Sequence, residues 1–309
     1  MIRNEQGGAC SLTACRLCPR ECGVDRTSGK TGFCRMGDVV YAARAALHMW
    51  EEPCISGSRG SGTVFFSGCT LRCVYCQNHE IAEGRAGLPV TVRRLSEIFL
   101  MLQEKGAANI SLVTASHFVP QILEALADAK KDGLHLPVVY NSGGYESPDT
   151  LRALNGVVDI YLPDLKYMDP DLAEAFSHAR DYPEAAREAI REMVAQTGPC
   201  VFDEAGYAVR GTIVRHLILP GHTKDSMRIL SYLHETYGDE IYISLMNQYT
   251  PVIRQERYPE LNRRLTKREY QKVLSHALSI GITNGFFQEG TTAEESFIPA
   301  FDYEGVRPE

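Results

Sequence analysis

Three cysteines in one short stretch have the spacing to hold an iron–sulfur cluster. Cys69, Cys73 and Cys76 stand in the sequence C-T-L-R-C-V-Y-C. Cysteine thiolates are the usual protein ligands of a [4Fe–4S] cluster. Three thiolates leave the fourth iron open, so that it can bind a small molecule and take part in chemistry. The alternatives are a structural zinc site and three unrelated thiols, and we favour the cluster.

A second group of cysteines lies near the N-terminus. Nine of the ten cysteines precede residue 77, and clustered cysteines in a reducing compartment are more often metal ligands than disulfides. Cys15, Cys18, Cys22 and Cys34 supply four thiolates, which suit a tetrahedral zinc or a second iron–sulfur cluster, with free thiols as the third possibility. A segment this short has no core of its own, so bound metal would supply its folding free energy.

The composition excludes several classes of protein. The chain has 309 residues, enough for one large core or two domains, and its net charge of −7 argues against non-specific nucleic-acid binding. Met1–Gly8 is polar, so we expect no signal peptide, and no stretch approaches the roughly 18 apolar residues of a membrane span. We therefore expect a cytoplasmic protein without a nucleic-acid or membrane partner.

From about residue 63 the chain alternates between short apolar runs and segments with helical periodicity. This alternation predicts βα units and a parallel sheet. The predicted strands are residues 63–66, 109–114, 136–140, 157–162, 211–219 and 240–245, with an extra strand at 284–288. Six units are fewer than the eight of a closed barrel. The predicted divisions are an N-terminal cysteine-rich module and connector (1–62), a barrel (63–290) and a C-terminal tail packed on the barrel (291–309).

Polar residues follow the predicted strands, at the ends where parallel barrels gather functional groups. Asp164 and Lys166 alternate, so both point the same way if the strand continues, and a surface ion pair is the alternative. For His117 the alternative is a core or helix-capping role, and for Tyr75 it is simple packing. The candidates for ligand binding are Tyr75, Asn78, Ser116, His117, Asn141, Ser142, Gly143, Asp164, Lys166, Arg215 and Gln248.

Several of these segments resemble one enzyme family. The C-x3-C-x2-C spacing, preceded by F-F-S-G, is similar to the activating-enzyme branch of the radical S-adenosylmethionine (SAM) enzymes. The segments N-S-G-G-Y-E from Asn141, D-L-K-Y from Asp164 and Q-Y-T-P from Gln248 resemble the group named after pyruvate formate-lyase activating enzyme, the PflX-like proteins. The head, C-x-L-C-P-R-x-C-G-V-D-R from Cys15, is similar to the same group.

The resemblance implies an α/β fold built as an open (β/α)6 partial barrel of the TIM type. It implies a [4Fe–4S] cluster on Cys69, Cys73 and Cys76, with SAM bound beside it. In glycyl-radical-enzyme activases an Asp-x-Lys pair contacts SAM, and Asp164 and Lys166 match that pair. Its implied partners are a one-electron donor such as flavodoxin or ferredoxin and, as a candidate, a glycyl radical enzyme.

The implied reaction is reductive cleavage of SAM to a 5′-deoxyadenosyl radical, which abstracts hydrogen from a substrate. That substrate is either a backbone glycine of a partner enzyme or a small molecule or peptide, and the sequence does not separate the two. A non-catalytic electron carrier or metal-binding scaffold is a further hypothesis. It needs no ligand pocket, so the Asp164–Lys166 pair and the glycines after the third predicted strand, Gly143 and Gly144, count against it.

Overall fold

A computed structural model of the chain describes residues 11–287 and 299–307. Its strands form one sheet in the order β10-β9-β8-β6-β5-β4-β2-β1-β3, with β7 paired to β8 alone. The strand bounds are β1 Val40–His48, β2 Ser61–Phe66, β3 Leu88–Val90, β4 Ile110–Val113, β5 Val138–Ser142, β6 Ile160–Pro163, β7 Val201–Phe202, β8 Ala208–Leu217, β9 Tyr242–Met246 and β10 Gly285–Phe287.

Helices connect the strands and cover the outer face of the sheet. Their bounds are α1 Pro53–Ser56, α2 His79–Ala82, α3 Val92–Glu104, α4 Val119–Lys131, α5 Pro148–Ala153, α6 Pro170–Ser177, α7 Tyr182–Thr197, α8 Thr223–Tyr237 and α9 Lys267–Ser279. Helix α3 shows why such segments fold: Leu95, Ile98, Phe99 and Leu102 recur at helical spacing and all are buried in the core. The Thr91 side chain caps it by accepting the Arg94 N–H.

The predicted α/β fold with an open, mostly parallel sheet is confirmed. Each of the six predicted strands overlaps an observed one, and the extra strand near the end is β10. Strands β2, β4, β5, β6, β8, β9 and β10 pair in parallel along the sheet. Gln288, the last residue of the predicted extra strand, lies outside the described residues.

The prediction missed β1, which lies inside the segment interpreted as a connector. Strand β1 pairs antiparallel with β2, and β3 pairs antiparallel with β1. Four of its nine residues are alanine, which has a low intrinsic preference for strands. Long-range pairing with β2, rather than local propensity, therefore makes this segment a strand.

Residues along the parallel strands alternate between the helix layer and the interior of the barrel. Val138 and Tyr140 of β5 belong to the core under α3 and α4, whereas Val139 joins an inner cluster. Ile160 and Leu162 of β6 and Ile213 of β8 lie in that inner cluster. Because side chains alternate with a period of two, the residues at these positions further along each strand also face inward.

Helix α1 fills the N-terminal end of the barrel. Its residue Ile55 is fully buried in the inner cluster, beside Val139 and Leu162. The carbonyl of Ile55 accepts a 2.7 Å hydrogen bond from the side chain of Asn109, next to the start of β4. The segment predicted as a connector therefore closes the barrel from below.

Residues 299–307 pack against β1 and α3. The backbone N–H of Ala45 donates to the carbonyl of Glu304 at 2.8 Å, and Arg44 forms an ion pair of 2.7 Å with Asp302. Val306 is buried in the core beneath α3. Residues 1–10 of the predicted N-terminal module and 291–298 of the predicted tail lie outside the described residues. Among the described helices, none has the length and apolar character needed to cross a bilayer.

Candidate functional site

A cavity of about 630 Å³ opens at the C-terminal ends of the parallel strands. The cysteine loop borders it on one side, and the segment leading into α1 forms its floor. Cavities of roughly 300–1,000 Å³ are typical of small-molecule and cofactor sites. The predicted site residues that line it are Cys69, Cys73, Tyr75, Cys76, Asn78, Asn141, Ser142, Gly143, Asp164, Lys166, Arg215 and Gln248.

The cysteine loop begins directly after β2. Gly68 has a φ of +85°, and a Cβ there would overlap Met36 and lie 2.7 Å from the Cys34 carbonyl, so the turn requires glycine. The backbone N–H groups of Leu71 and Arg72 point at the Cys69 sulfur, at 3.4 and 3.5 Å. Hydrogen bonds to sulfur of this kind tune iron–sulfur clusters.

The three thiols are free and partly buried at one edge of the cavity. Burial raises the pKa of both Cys73 and Cys76, and the neighbouring cysteines of the loop raise it further. Within residues 11–287 and 299–307, no three histidine, cysteine or carboxylate side chains converge on a point that would hold a single metal ion. A cubane cluster does not require such convergence, because each thiolate binds a different iron. The donor set therefore fits a [4Fe–4S] cluster.

Opposite the cysteines, five buried polar side chains form a continuous hydrogen-bonded ladder. Arg215 donates from Nε to Asp164 at 3.1 Å, from Nη1 to Glu51 at 3.1 Å and from Nη2 to Asn141. Asp164 also pairs with Lys166, and Asn141 donates to Glu51 at 3.2 Å. The side chains of Asp164 and Lys166 are only 16% and 18% exposed, so the alternative of a surface ion pair is wrong.

The ladder keeps Asp164 and Lys166 ionised. Burial by itself would raise the pKa of Asp164, but Lys166 and Arg215 together hold it below its usual value. Burial by itself would lower the pKa of Lys166, but Asp164 raises it above its usual value. A carboxylate and an ammonium group thus face the cavity side by side, which complements a ligand that carries both an ammonium and a carboxylate.

Two loops of the cavity wall are fixed to each other by Tyr182, which sequence reasoning missed. Its hydroxyl lies 2.9 Å from the carbonyls of Gly143 and Asp164 and accepts the Lys166 N–H at 2.9 Å. Gly144 has a φ of +80°, and a Cβ there would overlap the Asp164 carbonyl. Glycine is therefore required where the two loops meet. The only sequence signal for Tyr182 is an aromatic residue at the start of a helix.

Tyr75 both packs and lines the cavity. Its hydroxyl is 2.7 Å from that of Tyr167, and its ring meets Phe176 edge-on at 6.3 Å. Gln248 contacts the cysteine loop through its backbone, since its carbonyl accepts a 3.1 Å hydrogen bond from the Gln77 side chain. Both residues therefore join the cysteine loop to the remainder of the wall.

The prediction that Ser116 and His117 contact a ligand is wrong. His117 is buried with Nε2 2.7 Å from the Ser67 carbonyl, and Ser116 donates to Glu146 at 2.6 Å. Burial lowers the pKa of His117 to about 3, so the ring is neutral. A 3-10 helix over Ser116–Phe118 turns the chain away from the barrel directly after β4. Thr114 lines the cavity in their place.

The buried Glu146 beside Ser116 predicts a pH-dependent stability. Burial raises its pKa to about 7, although Ser116 and Tyr140 donate hydrogen bonds to it. A folded-state pKa above the unfolded value means that this contribution is complete below pH 4.5 and is lost as the pH rises through 7. We expect the wild type to lose roughly 3 kcal/mol of unfolding free energy from this group between acidic and mildly alkaline pH.

In urea titrations from pH 5 to pH 8, Glu146→Gln should remove this loss, so that the variant is more stable than the wild type at pH 8. Glu124→Gln, at an exposed position of α4, is the matched control and should follow the wild type. Parallel stability curves for the wild type and Glu146→Gln would contradict the prediction.

Sequence reasoning also missed the floor of the cavity. His48, Trp50, Glu51 and Glu52 all line it, and all belong to the segment interpreted as a connector. The one sequence signal in this segment is Pro53, a residue favoured in the first turn of a helix. These carboxylates lie in the cavity because β1 pairs antiparallel with β2, which brings the end of β1 to the bottom of the barrel.

The N-terminal cysteines come from two neighbouring loops. Cys15 and Cys34 are buried, Cys18 is half-buried, and Cys22 is exposed with its sulfur 4.0 Å from the Cys15 carbonyl. Burial raises the pKa of Cys34, and Cys15 and Cys22 raise it further, as expected for thiols near one another. A Cβ on Gly32 would lie 2.6 Å from the Cys22 sulfur, so a larger residue at this position would clash with the thiol.

This N-terminal module is attached directly to the cysteine loop. Arg20 donates to the carbonyls of Thr70, at 3.0 Å, and Ser177, at 3.2 Å. Its guanidinium lies 4.0 Å from the centre of the Phe33 ring, and that of Arg72 lies 3.8 Å from the same ring. The module therefore packs directly on the loop that carries Cys69 and Cys73.

Comparisons with known proteins agree with this geometry. The Radical SAM superfamily model matches residues 63–233, more than half of the chain. An uncharacterized protein of Methanocaldococcus jannaschii is 28% identical over 271 residues, covering 85% of this chain and 74% of that protein. The pyruvate formate-lyase 1-activating enzyme of Escherichia coli is 29% identical over 116 residues, covering 35% of this chain and 46% of the enzyme.

Among solved structures, the SuiB protein of Streptococcus suis is one match. Its crystal structure matches with a TM-score of 0.46 and 13% identity, covering 75% of this chain and 49% of SuiB. The structure of SuiB bound to S-adenosylmethionine matches with a TM-score of 0.46 and 14% identity, covering 73% of this chain and 49% of SuiB. The chain thus spans about half the length of these matches. By the match over residues 63–233, the chain belongs to the radical SAM superfamily, whose members use an iron–sulfur cluster to cleave SAM.

Proposed function

We propose that the cavity is an active site in which Cys69, Cys73 and Cys76 hold a [4Fe–4S] cluster, while Asp164 and Lys166 bind SAM. The observation that supports this most strongly is that all five side chains line one cavity. When bound, the cluster and SAM supply one-electron cleavage of the S–C5′ bond and hydrogen abstraction from a substrate carbon.

The side chains of the cavity bind and orient the ligand. The Asp164 carboxylate would accept a hydrogen bond from the amino group of SAM and the Lys166 ammonium would pair with its carboxylate, so the amino-acid portion would bind in one orientation. Arg215 fixes the position of Asp164 by donating a hydrogen bond to it, and Asn141 holds Arg215 in place by accepting another. Phe65, Leu71 and Leu217 supply apolar wall that keeps water from the reacting atoms.

The test is an anaerobic assay for 5′-deoxyadenosine. The chain is reconstituted with iron and sulfide and given SAM and dithionite, and the nucleoside is measured by mass spectrometry. We expect 5′-deoxyadenosine only when iron, SAM and reductant are all present. A fully reconstituted preparation that forms none would instead favour the electron carrier or scaffold.

For the substrate, the first candidate is a backbone glycine of a glycyl radical enzyme. Its support is the 29% identity over 116 residues to the Escherichia coli activating enzyme. Proteins that co-purify with the tagged chain should then gain the doublet of a glycyl radical in electron paramagnetic resonance after SAM and reductant are added. The second candidate, a small molecule or peptide, is favoured by the cavity floor, which α1 closes from below; nucleoside formation without a doublet would support it.

The electron donor should dock on the outer side of the cysteine loop. A second cavity of about 250 Å³ touches Cys73 and Cys76 there, bordered by Arg72, His79 and His178. Burial lowers the pKa of Arg72, and Arg35 and Arg20 lower it further because several cations lie close together. A local excess of positive charge on a chain of net charge −7 suits an acidic one-electron donor such as flavodoxin or ferredoxin.

Reversing one of these charges should slow reduction by such a donor. With reduced flavodoxin at low salt, we expect Arg35→Glu to lower the rate of 5′-deoxyadenosine formation at least tenfold, because the docking surface loses its complementarity. With dithionite the rate should stay unchanged. Lys272→Glu, at an exposed position of α9, is the control and should react as the wild type with both reductants. Equal slowing of Arg35→Glu with both reductants would contradict the proposed docking surface.

We also propose that the N-terminal cysteines bind metal, as zinc or as a second cluster. Zinc would require the four thiols to move together on binding, because they do not converge on one point in this structure. The support is that Cys15, Cys18, Cys22 and Cys34 lie on two neighbouring loops that are attached to the cysteine loop. A metal assay on the reconstituted protein distinguishes the two. About one zinc per chain would identify a zinc site, and about eight irons per chain would identify two [4Fe–4S] clusters. Cys22→Ala should lose this metal and keep the iron of the barrel. A preparation with four irons and no zinc would overturn the proposal.

A further inference from the structure

Among the described residues, the floor of the cavity holds one more carboxylate than it has cations to pair with. Glu51 and Asp164 both bond to Arg215, and Lys166 bonds to Asp164. Each of the three guanidinium nitrogens of Arg215 is already engaged, by Asp164, Glu51 and Asn141. Glu52 is the remaining carboxylate.

Glu52 is more than nine-tenths buried and lines the cavity. Its Oε2 has no hydrogen-bond partner in the described parts of the chain. Burial and the neighbouring Glu51 hold the pKa of its carboxyl above the usual value, and Arg215 and a hydrogen bond from Ser244 offset this only in part. A buried carboxyl oxygen without a partner is costly, and a bound N–H donor would remove that cost.

The walls around Glu52 indicate what such a donor would be attached to. Phe65, Leu217, Met246, Phe286 and Phe287 line the same cavity and are apolar. His48 is next to the floor, and burial lowers its pKa to about 4, so it contributes no positive charge near neutral pH. The site thus combines an apolar wall with one unpaired carboxyl group, which suits an apolar stem that ends in a cation.

We propose that Glu52 is a specificity-determining residue that binds a protonated amine of the substrate at the floor of the barrel. This inference rests on the proposed function and adds to it the chemical class of the substrate, an alkylammonium compound. An ammonium group supplies an N–H donor and the missing positive charge together. A neutral hydroxyl of the same size supplies the donor alone.

The test compares two probes of equal shape, butylammonium and 1-butanol. Each is titrated into the reconstituted, SAM-loaded protein without reductant, and binding is followed by calorimetry. The fluorescence of Trp50, the one tryptophan of the chain, is a second measure because it lines the cavity. We expect the wild type to bind butylammonium at least tenfold more tightly than 1-butanol. Glu52→Gln should weaken the amine at least tenfold and leave the alcohol unchanged.

Glu124→Gln serves as the control and should bind both probes as the wild type does. Equal affinity of wild type and Glu52→Gln for butylammonium would overturn the inference, and so would a variant that loses SAM affinity instead. If Glu52→Gln does not fold, the wild type alone decides: binding the alcohol as tightly as the amine, or binding neither, overturns it. Adding dithionite to the wild-type preparation tests the proposed function separately, because 5′-deoxyadenosine formation from SAM is measured there without either probe and without a substitution at Glu52.

Discussion

Cys73→Ala should abolish 5′-deoxyadenosine formation and remove most of the iron bound to the barrel. Cys73 is the central cysteine of the loop, and its sulfur lies 2.9 Å from the Ser177 hydroxyl. Removing one of three thiolates leaves a cubane with two protein ligands, which the loop cannot retain in a form that binds SAM at the fourth iron. We expect activity at least a thousandfold below the wild type and a loss of the visible absorbance of the cluster.

The control for this variant is another cysteine substitution away from the loop. Cys200 directly precedes β7 and packs beside the inner cluster. It is not among the residues that line the cavity. Cys200→Ala should keep the iron content and the activity of the wild type. Retention of both by Cys73→Ala would show that the loop does not hold the cluster. Loss of activity by Cys200→Ala with iron intact would point to a general structural effect.

Much of the candidate site could be predicted because successive side chains of a β-strand point alternately to its two faces. Asn141, Asp164 and Arg215 each stand at inward-facing positions at or just beyond the ends of β5, β6 and β8. Parallel strands bring such positions to one edge of the sheet, whatever the lengths of the helices between them. The sequence therefore indicated that these three side chains converge, and the hydrogen bonds of Arg215 join all of them.

What could not be predicted depends on turns and on long-range pairing. Thr114, Ser116 and His117 all lie within four residues of the end of β4. Ser116 and His117 belong to a single 3-10 turn and are buried in the helix layer, whereas Thr114 lines the cavity. No local pattern distinguishes that turn from a loop that stays at the cavity. Glu51 and Glu52 lie in the cavity because β1, which precedes them, pairs with β2, which follows them. Strand β1 is rich in alanine, which has a low strand propensity, so the local sequence does not indicate this pairing.

The position of these missed residues changes how the cavity functions. A barrel open at both ends would admit water from below to the reacting atoms. Helix α1 closes that end, and the two glutamates above it place carboxyl groups at the floor of the cavity. Under the proposed function, this segment excludes water and selects the substrate, while the cysteine loop and the Asp164–Lys166 pair, on other parts of the wall, bind the cofactors.

The stability of this arrangement should depend most strongly on Arg215. Replacing it by methionine keeps the apolar volume but leaves Glu51 and Asp164 without their shared cation in a buried site. Removing one partner of a buried ion pair costs about 3–5 kcal/mol, because the remaining charge is uncompensated. We expect Arg215→Met to lose that much unfolding free energy at pH 8, as measured by urea titration followed by circular dichroism. The loss should shrink as the pH falls, because protonation of the stranded carboxylates removes the charge that lacks a partner.

A double variant separates this effect from simple loss of packing. If the cost arises from the stranded carboxylate, Glu51→Gln in the Arg215→Met background should recover at least about 1 kcal/mol, although Glu51→Gln alone destabilises the wild type. Arg180→Met, which removes an ion pair with Asp171 that is exposed on both sides, is the control and should change the stability by less than about 1 kcal/mol. Strict additivity of the Glu51 and Arg215 substitutions, with a loss that is the same at pH 5 and pH 8, would mean that the ladder stabilises the barrel through shape alone. In that case its charges would serve only the ligand, and the affinity for SAM, rather than the unfolding free energy, should respond to Arg215→Met.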